Sequence, residues 1–103
     1  MKPSTIKQLR SAAHRNKLKP IVTIGMKGLT DAVMAEIKIA LDHHELLKLK
    51  IPALDKEEKF ALVNKICSQT QAEKIQLIGH VLVIFKLNPD IDQYKNERKE
   101  KAS

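Results

Sequence analysis

The sequence predicts an α/β fold: a two-layer single domain in α-β-α-β-α-β-β order, with a mixed four-stranded sheet. Three observations lead there. Helical and strand periodicities alternate along the chain as far as Leu87. Gly25-Met26-Lys27-Gly28 forms a GxxG loop between the first β-branched run and the second helical pattern. A two-residue link, Gly79-His80, joins the last two strands, which must then be antiparallel, whereas helical crossovers join parallel strands. With 103 residues, 43% of them hydrophobic, the chain can bury one core. The domain is expected over residues 1–87, with 88–103 a polar, mobile tail that has little to bury.

The first helix is expected from about Thr5 to Arg15, capped by Ser4 or Thr5, with Gln8 at capping-box spacing from Thr5. Ile6, Leu9 and Ala13 give it one narrow apolar face. Pro20 ends helical geometry, and Ile21-Val22-Thr23-Ile24 reads as a core strand. Thr30 is the natural N-cap of the second helix, whose inner side is Val33, Ile37, Ala40 and Leu41, widened by Met34. That helix fades near His43-His44. Leu47, Leu49 and Ile51 then alternate with Lys48 and Lys50, which predicts a strand with one wet, basic face.

Pro52 stops this strand, and Asp55 with Glu58 stands at capping-box spacing before a third helix. Phe60, Val63, Cys67 and Thr70 are its expected inner side, flanked by Leu62 and Ile66. The closing hairpin pairs 74–78 with 81–86. The second of these strands is apolar on both sides, which puts it in the interior of the sheet. The order of the strands stays open.

Charge is segregated. Lys2, Lys7, Arg10, Arg15, Lys17, Lys19 and Lys27 all precede Asp31, the first acidic residue. The rest of the chain is balanced, so the formal net charge of +7 belongs to this segment. A basic arm running into a glycine loop points to a polyanion laid along one surface. Glycine lets a backbone approach a ligand closely, the N–H groups opening the next helix attract phosphate, and Lys27 projects a cation from the loop. Arg10, Arg15, Lys17 and Lys19 are the first candidates for phosphate contact, with His14 beside them. Lys48 and Lys50 extend the same patch or simply wet a sheet face.

Other chemistries find little support. The extra glycine of a dinucleotide-binding GxGxxG is missing, as is a GxxxxGK[ST] phosphate loop. The aromatic motifs of RRM sheets are absent, since Phe60, Phe85 and Tyr94 are the only aromatic residues. Cys67 is alone, and His14, His43, His44 and His80 have no metal-ligand spacing, so no metal and no cofactor is expected. No Ser-His-Asp order carries a nucleophile elbow, and Asp55, Glu57 and Glu58 have a structural reason to open a helix. The chain reads as a non-enzyme. No apolar stretch approaches membrane-spanning length, so no membrane partner is expected and the cytoplasm is the default, with a monomer as the expected state.

The run Leu18-Lys19-Pro20-Ile21-Val22-Thr23-Ile24-Gly25-Met26-Lys27-Gly28-Leu29-Thr30 resembles the YhbY-like, or CRM (chloroplast RNA splicing and ribosome maturation), domain family. The likeness continues through His43-His44-Glu45-Leu46 and Leu47-Lys48-Leu49-Lys50 to Ile78-Gly79-His80-Val81-Leu82-Val83-Ile84-Phe85-Lys86. It is similar to the stand-alone bacterial type over roughly 4–87. The resemblance implies the same element order and a GxxG loop that takes part in RNA binding, so Gly25, Met26, Lys27 and Gly28 inherit that role. It also implies a partner: structured rRNA in a precursor of the large ribosomal subunit. The loop is similar to that of KH domains but follows a strand, so base-reading details do not carry over. The expectation is an RNA-binding protein assisting large-subunit assembly. The alternatives are a general RNA chaperone or intron-RNA adaptor, and an interaction module for an acidic protein.

Overall fold

The structure, a computed structural model, describes residues 1–15 and 22–98. The elements are α1 (Pro3–Arg15), β1 (Val22–Thr23), α2 (Asp31–His44), β2 (Leu46–Lys50), α3 (Lys56–Thr70), β3 (Glu73–Ile78), β4 (Val81–Phe85) and a short α4 (Lys95–Arg98). The α/β fold and its mixed four-stranded sheet are as the sequence predicts. Strand order is β1-β2-β4-β3, with β1 parallel to β2 and the remaining pairs antiparallel. The doubly apolar β4 is interior, between β2 and β3.

Local chemistry sets most boundaries. Helix α1 begins at Pro3, two residues before the expected start, because proline is pre-shaped for a first helical position and its missing N–H is not needed there. Ser4 and Thr5 therefore lie inside the helix, and the Thr5–Gln8 box does not form. Thr30 caps α2 as expected, its hydroxyl accepting the Val33 N–H at 3.2 Å. Asp55 and Glu58 make a reciprocal capping box: Asp55 Oδ1 accepts the Glu58 N–H at 2.8 Å, and Glu58 Oε1 accepts the Asp55 N–H at 3.4 Å. The bond from the Glu58 N–H, then the Glu58 side chain, holds the Asp55 carboxyl below its ordinary value. A depressed native pKa stabilises the fold fully above the ordinary aspartate range, and that contribution is lost as pH falls through the native value. Asp55→Asn keeps a capping oxygen without a titrating group. Its thermal midpoint should therefore fall less on acidification than that of the parent protein.

Two apolar clusters occupy opposite faces of the sheet. The larger joins Val22 and Ile24 with Leu47, Leu49, Leu82 and Ile84 of the sheet, Ile37 and Leu41 of α2, and Val63 and Ile66 of α3. The second packs Leu9, Ala12 and Ala13 of α1 on Leu46, Ile75, Val83 and Phe85. The two-layer packing of α2 and α3 is thus extended by α1 on the other face. This corrects in part the expectation of a wet face on β2: Leu46 is buried beside α1 and Lys48 is half-buried, while Lys50 is exposed as expected. In α3 the buried stripe runs through Val63, Ile66 and Thr70, which leaves Phe60 at its margin and 64% exposed, not inward.

The chain beyond Leu87 also corrects the sequence reading, for it does bury something. Tyr94 joins the α1 cluster and meets Phe85 edge-on, ring centroids 6.1 Å apart. Glu45, fully buried at φ 59°, accepts the backbone N–H groups of Asn88 at 2.9 Å and Gln93 at 2.8 Å. The Asn88 and Gln93 side-chain amides donate to the carbonyls of Asp42 and His44, satisfying acceptors that the end of α2 leaves open.

The hairpin contains one irregularity. Lys74 faces Ile84 and Gln76 faces Val83, so Ile75 is an extra residue, a β-bulge. At the turn, Gly79 has φ 57°, as the first position of a type II′ turn requires. The Gly79 carbonyl accepts Lys59 Nζ at 3.0 Å and the His80 carbonyl accepts the Ile51 N–H at 2.8 Å, tying α3 and the end of β2 to the turn.

Candidate nucleic-acid interface

The glycine loop leaves the sheet where β1 and β2 end together, the Ile24 N–H donating to the Lys50 carbonyl at 2.8 Å. It closes as a tight turn, the Gly28 N–H donating to the Gly25 carbonyl at 3.0 Å. The two glycines differ in what they need. Gly28 has φ 78°, a conformation that side chains resist. Gly25 lies outside the left-handed region, and a Cβ there would meet nothing within 4 Å. The fold itself makes no demand for glycine at position 25. Between them, Met26 is 83% exposed and Lys27 is exposed. Asp31 occupies the first turn of α2 and partly answers the helix field, so the bare loop and its cation are the stronger attraction for phosphate.

Pairing register tells which side chains share a sheet face. Thr23, Lys50, Val81 and Ile78 form one row across the four strands, and Lys48, Val83 and Gln76 form the next. Both rows look toward the α1 side. Helix α1 covers one end of that face and leaves the hairpin end open: Lys50 is exposed and Ile78 is 65% exposed. Where α1 ends, Ala13 and His14 stand over Lys48, Gln76, Val81 and Val83 around a cavity of about 270 Å³.

The structure thus brings His14, Lys48 and Lys50 to one surface, next to the strand that feeds Gly25, Met26, Lys27 and Gly28. Arg10 lies one turn before His14 on the same helix face and is exposed. Arg15 is on the other flank, its guanidinium 3.4 Å from Glu97 in a groove between α1 and α4. The Arg15 side chain is 64% exposed although Glu97 is half-buried, so Arg15 still faces solvent from the pair. Lys17 and Lys19 lie outside the described residues. Gln76, Ile78 and Val81 are the additions that sequence reasoning missed. Only the strand order and the bulge reveal that they face Lys48.

Among the described residues no three His, Cys, Asp or Glu side chains converge as a metal site. Burial, and secondly the Glu73 carboxylate, push the Cys67 thiol up, away from thiolate character. No described helix is long and apolar enough to cross a membrane. What the surface can do is hold an anionic backbone against a loop without side-chain bulk, and present polar groups beside it.

Known proteins share this plan. The CRS1 / YhbY (CRM) domain model matches residues 1–86. A Haemophilus influenzae protein named as an RNA-binding protein is 45% identical over 78 residues, 76% of this chain and 77% of its own. A Pseudomonas aeruginosa protein named as a probable RNA-binding protein is 35% identical over 83 residues, 81% of this chain and 78% of its own. The solution structure of a Staphylococcus aureus protein superposes with a TM-score of 0.75 at 27% identity, covering 85% of this chain and 90% of that one. Sequence and three-dimensional likeness agree over nearly the whole described domain, and the chain belongs to the CRS1/YhbY (CRM) domain family.

Proposed function

We propose that this CRM domain binds structured RNA through its glycine loop and the adjoining basic surface, and that it assists assembly of the large ribosomal subunit in the cytoplasm. Gly25 is the observation that carries the binding reading. The position has neither a left-handed φ nor a neighbour that a Cβ would meet, so its bare Cα is open to close approach by an external group. RNA as that group accords with the names of the H. influenzae and P. aeruginosa relatives and with the +7 charge gathered ahead of Asp31. The ribosomal precursor as the particular RNA rests on resemblance to stand-alone bacterial members of the family.

Binding begins as electrostatic capture, which raises the encounter rate and falls with salt. The loop then seats the sugar-phosphate backbone, with Lys27 neutralising a phosphate. Lys27→Ala should weaken RNA binding at every sequence and lower the salt slope by about one unit, while Gly25→Ala should weaken binding with stability changed by less than about 0.5 kcal/mol. Fluorescence anisotropy across a salt series, with thermal unfolding beside it, reads both. Unchanged affinity in both variants would remove the loop from the mechanism. Co-sedimentation on a lysate gradient, followed by sequencing of crosslinked RNA, tests the ribosomal assignment. Enrichment on immature large subunits supports it. Enrichment of other RNAs points to an RNA chaperone or intron adaptor, and recovery of an acidic protein without RNA points to an interaction module.

A further inference from the structure

The cavity at the end of α1 is not needed to hold a phosphate backbone. Its floor is Val81 and Val83 of β4, with Ala13 at one wall and the exposed Ile78 at another. Three side chains with hydrogen-bonding groups reach it: His14, Lys48 and Gln76. Apolar walls with a few convergent polar groups are the usual make-up of a small-molecule site, and about 270 Å³ falls just below the ~300–1,000 Å³ of drug-sized pockets. A site of this size has room for one heterocyclic ring system. It also opens on the face that carries Lys50, beside the row that ends in the strand leading to Gly25.

From this we propose that the cavity receives one unpaired nucleobase of the bound RNA, turned inward while its own backbone runs along the basic rim. The inference rests on the RNA-binding reading above and adds a point of base recognition to it. A base turned out of a loop or bulge exposes two apolar faces and a hydrogen-bonding edge. The valines and Ile78 take a face, and the His14 imidazole offers a ring to the other. The Gln76 amide supplies both a donor and an acceptor in one plane, which suits the edge of a base. The Lys48 ammonium supplies donors only, and so favours bases with a carbonyl oxygen on that edge, uracil, guanine and cytosine, over adenine. Charge complementarity fixes the occupant's class: the cationic rim retains the strand whose base fills the cavity.

The test compares two stem–loop RNAs with the same stem and the same loop phosphates, one with an all-uridine loop and one with an abasic loop. The full-length protein should bind the uridine loop about tenfold more tightly, in keeping with the effect of removing one stacked base. Gln76→Leu, verified as folded by circular dichroism, should bring the ratio toward one by weakening uridine-loop binding. Lys27→Ala should weaken binding to both RNAs and leave the ratio in place. A ratio of one in the unmodified protein, with both RNAs bound, overturns the base pocket and retains the RNA-binding reading. A ratio that survives Gln76→Leu and His14→Ala unchanged also overturns it, since the base is then read elsewhere. Failure to bind either RNA overturns the RNA-binding reading and the pocket with it.

Discussion

Replacing Phe85 with alanine should cost about 4 kcal/mol of folding stability, the usual loss for a buried aromatic side chain in a core. Phe85 is 2% exposed and stands at the end of β4, where it meets Tyr94 and the inner face of α1. For a domain of this size the thermal midpoint should fall by about 20 °C, and urea denaturation should report the loss without a change in slope. Function should suffer before unfolding is complete. The cavity left by the ring lies under α1, and His14 and Arg10 hold their places only as long as α1 does. Phe85→Leu keeps most of the volume and should recover most of the stability. A small loss in Phe85→Ala would mean that α1 is not anchored by this cluster.

The second large effect belongs to Glu45. Alanine there should cost about 3 kcal/mol, because two backbone N–H groups, of Asn88 and Gln93, lose a carboxylate acceptor. The residue also holds φ 59° and ψ −56°, a rarely populated backbone conformation. Glycine removes the same carboxylate but tolerates those angles, so Glu45→Gly should be about 1 kcal/mol less damaging than Glu45→Ala. Urea denaturation of the two variants separates the lost hydrogen bonds from the backbone strain. In both, residues 88–98 should gain hydrogen exchange ahead of the sheet, since Glu45 is their main polar anchor. Equal protection of that segment in Glu45→Ala would show that Tyr94 and the Asn88 and Gln93 side-chain amides keep it docked without the carboxylate.

What the sequence makes legible is what neighbouring residues decide among themselves. The caps at Thr30 and Asp55 and the turns at Gly25–Gly28 and Gly79-His80 need only a few residues each, and all form as read. The interior place of β4 follows from its own apolar pattern. What was hidden depends on distant partners. Lys48 between two leucines reads as the wet side of a strand until α1 is known to lie against it. Phe60 fits the inner pattern of its helix almost as well as Val63, and only the direction of packing turns it outward. Glu45 looks like an ordinary acid before a strand, yet its partners are more than forty residues later in the chain. Within the candidate site, the loop and the cations were visible as types and spacing. Gln76, Ile78 and Val81 were not, since alternation along β3 cannot be counted correctly across an extra residue.

That extra residue sets the parity of the strand. Beyond Ile75, each side chain of β3 faces the side opposite to the one a regular ladder would give it. As built, Leu77 packs against the core shared with α2 and α3, and Gln76 lines the cavity under α1. A regular ladder over the same residues, with Ile75 opposite Val83, would turn Gln76 into the apolar core and Leu77 toward the cavity. The bulge therefore decides which position is interior and which is a recognition position, whichever amino acids are present. In this hairpin, strand register is as much a functional character as residue identity.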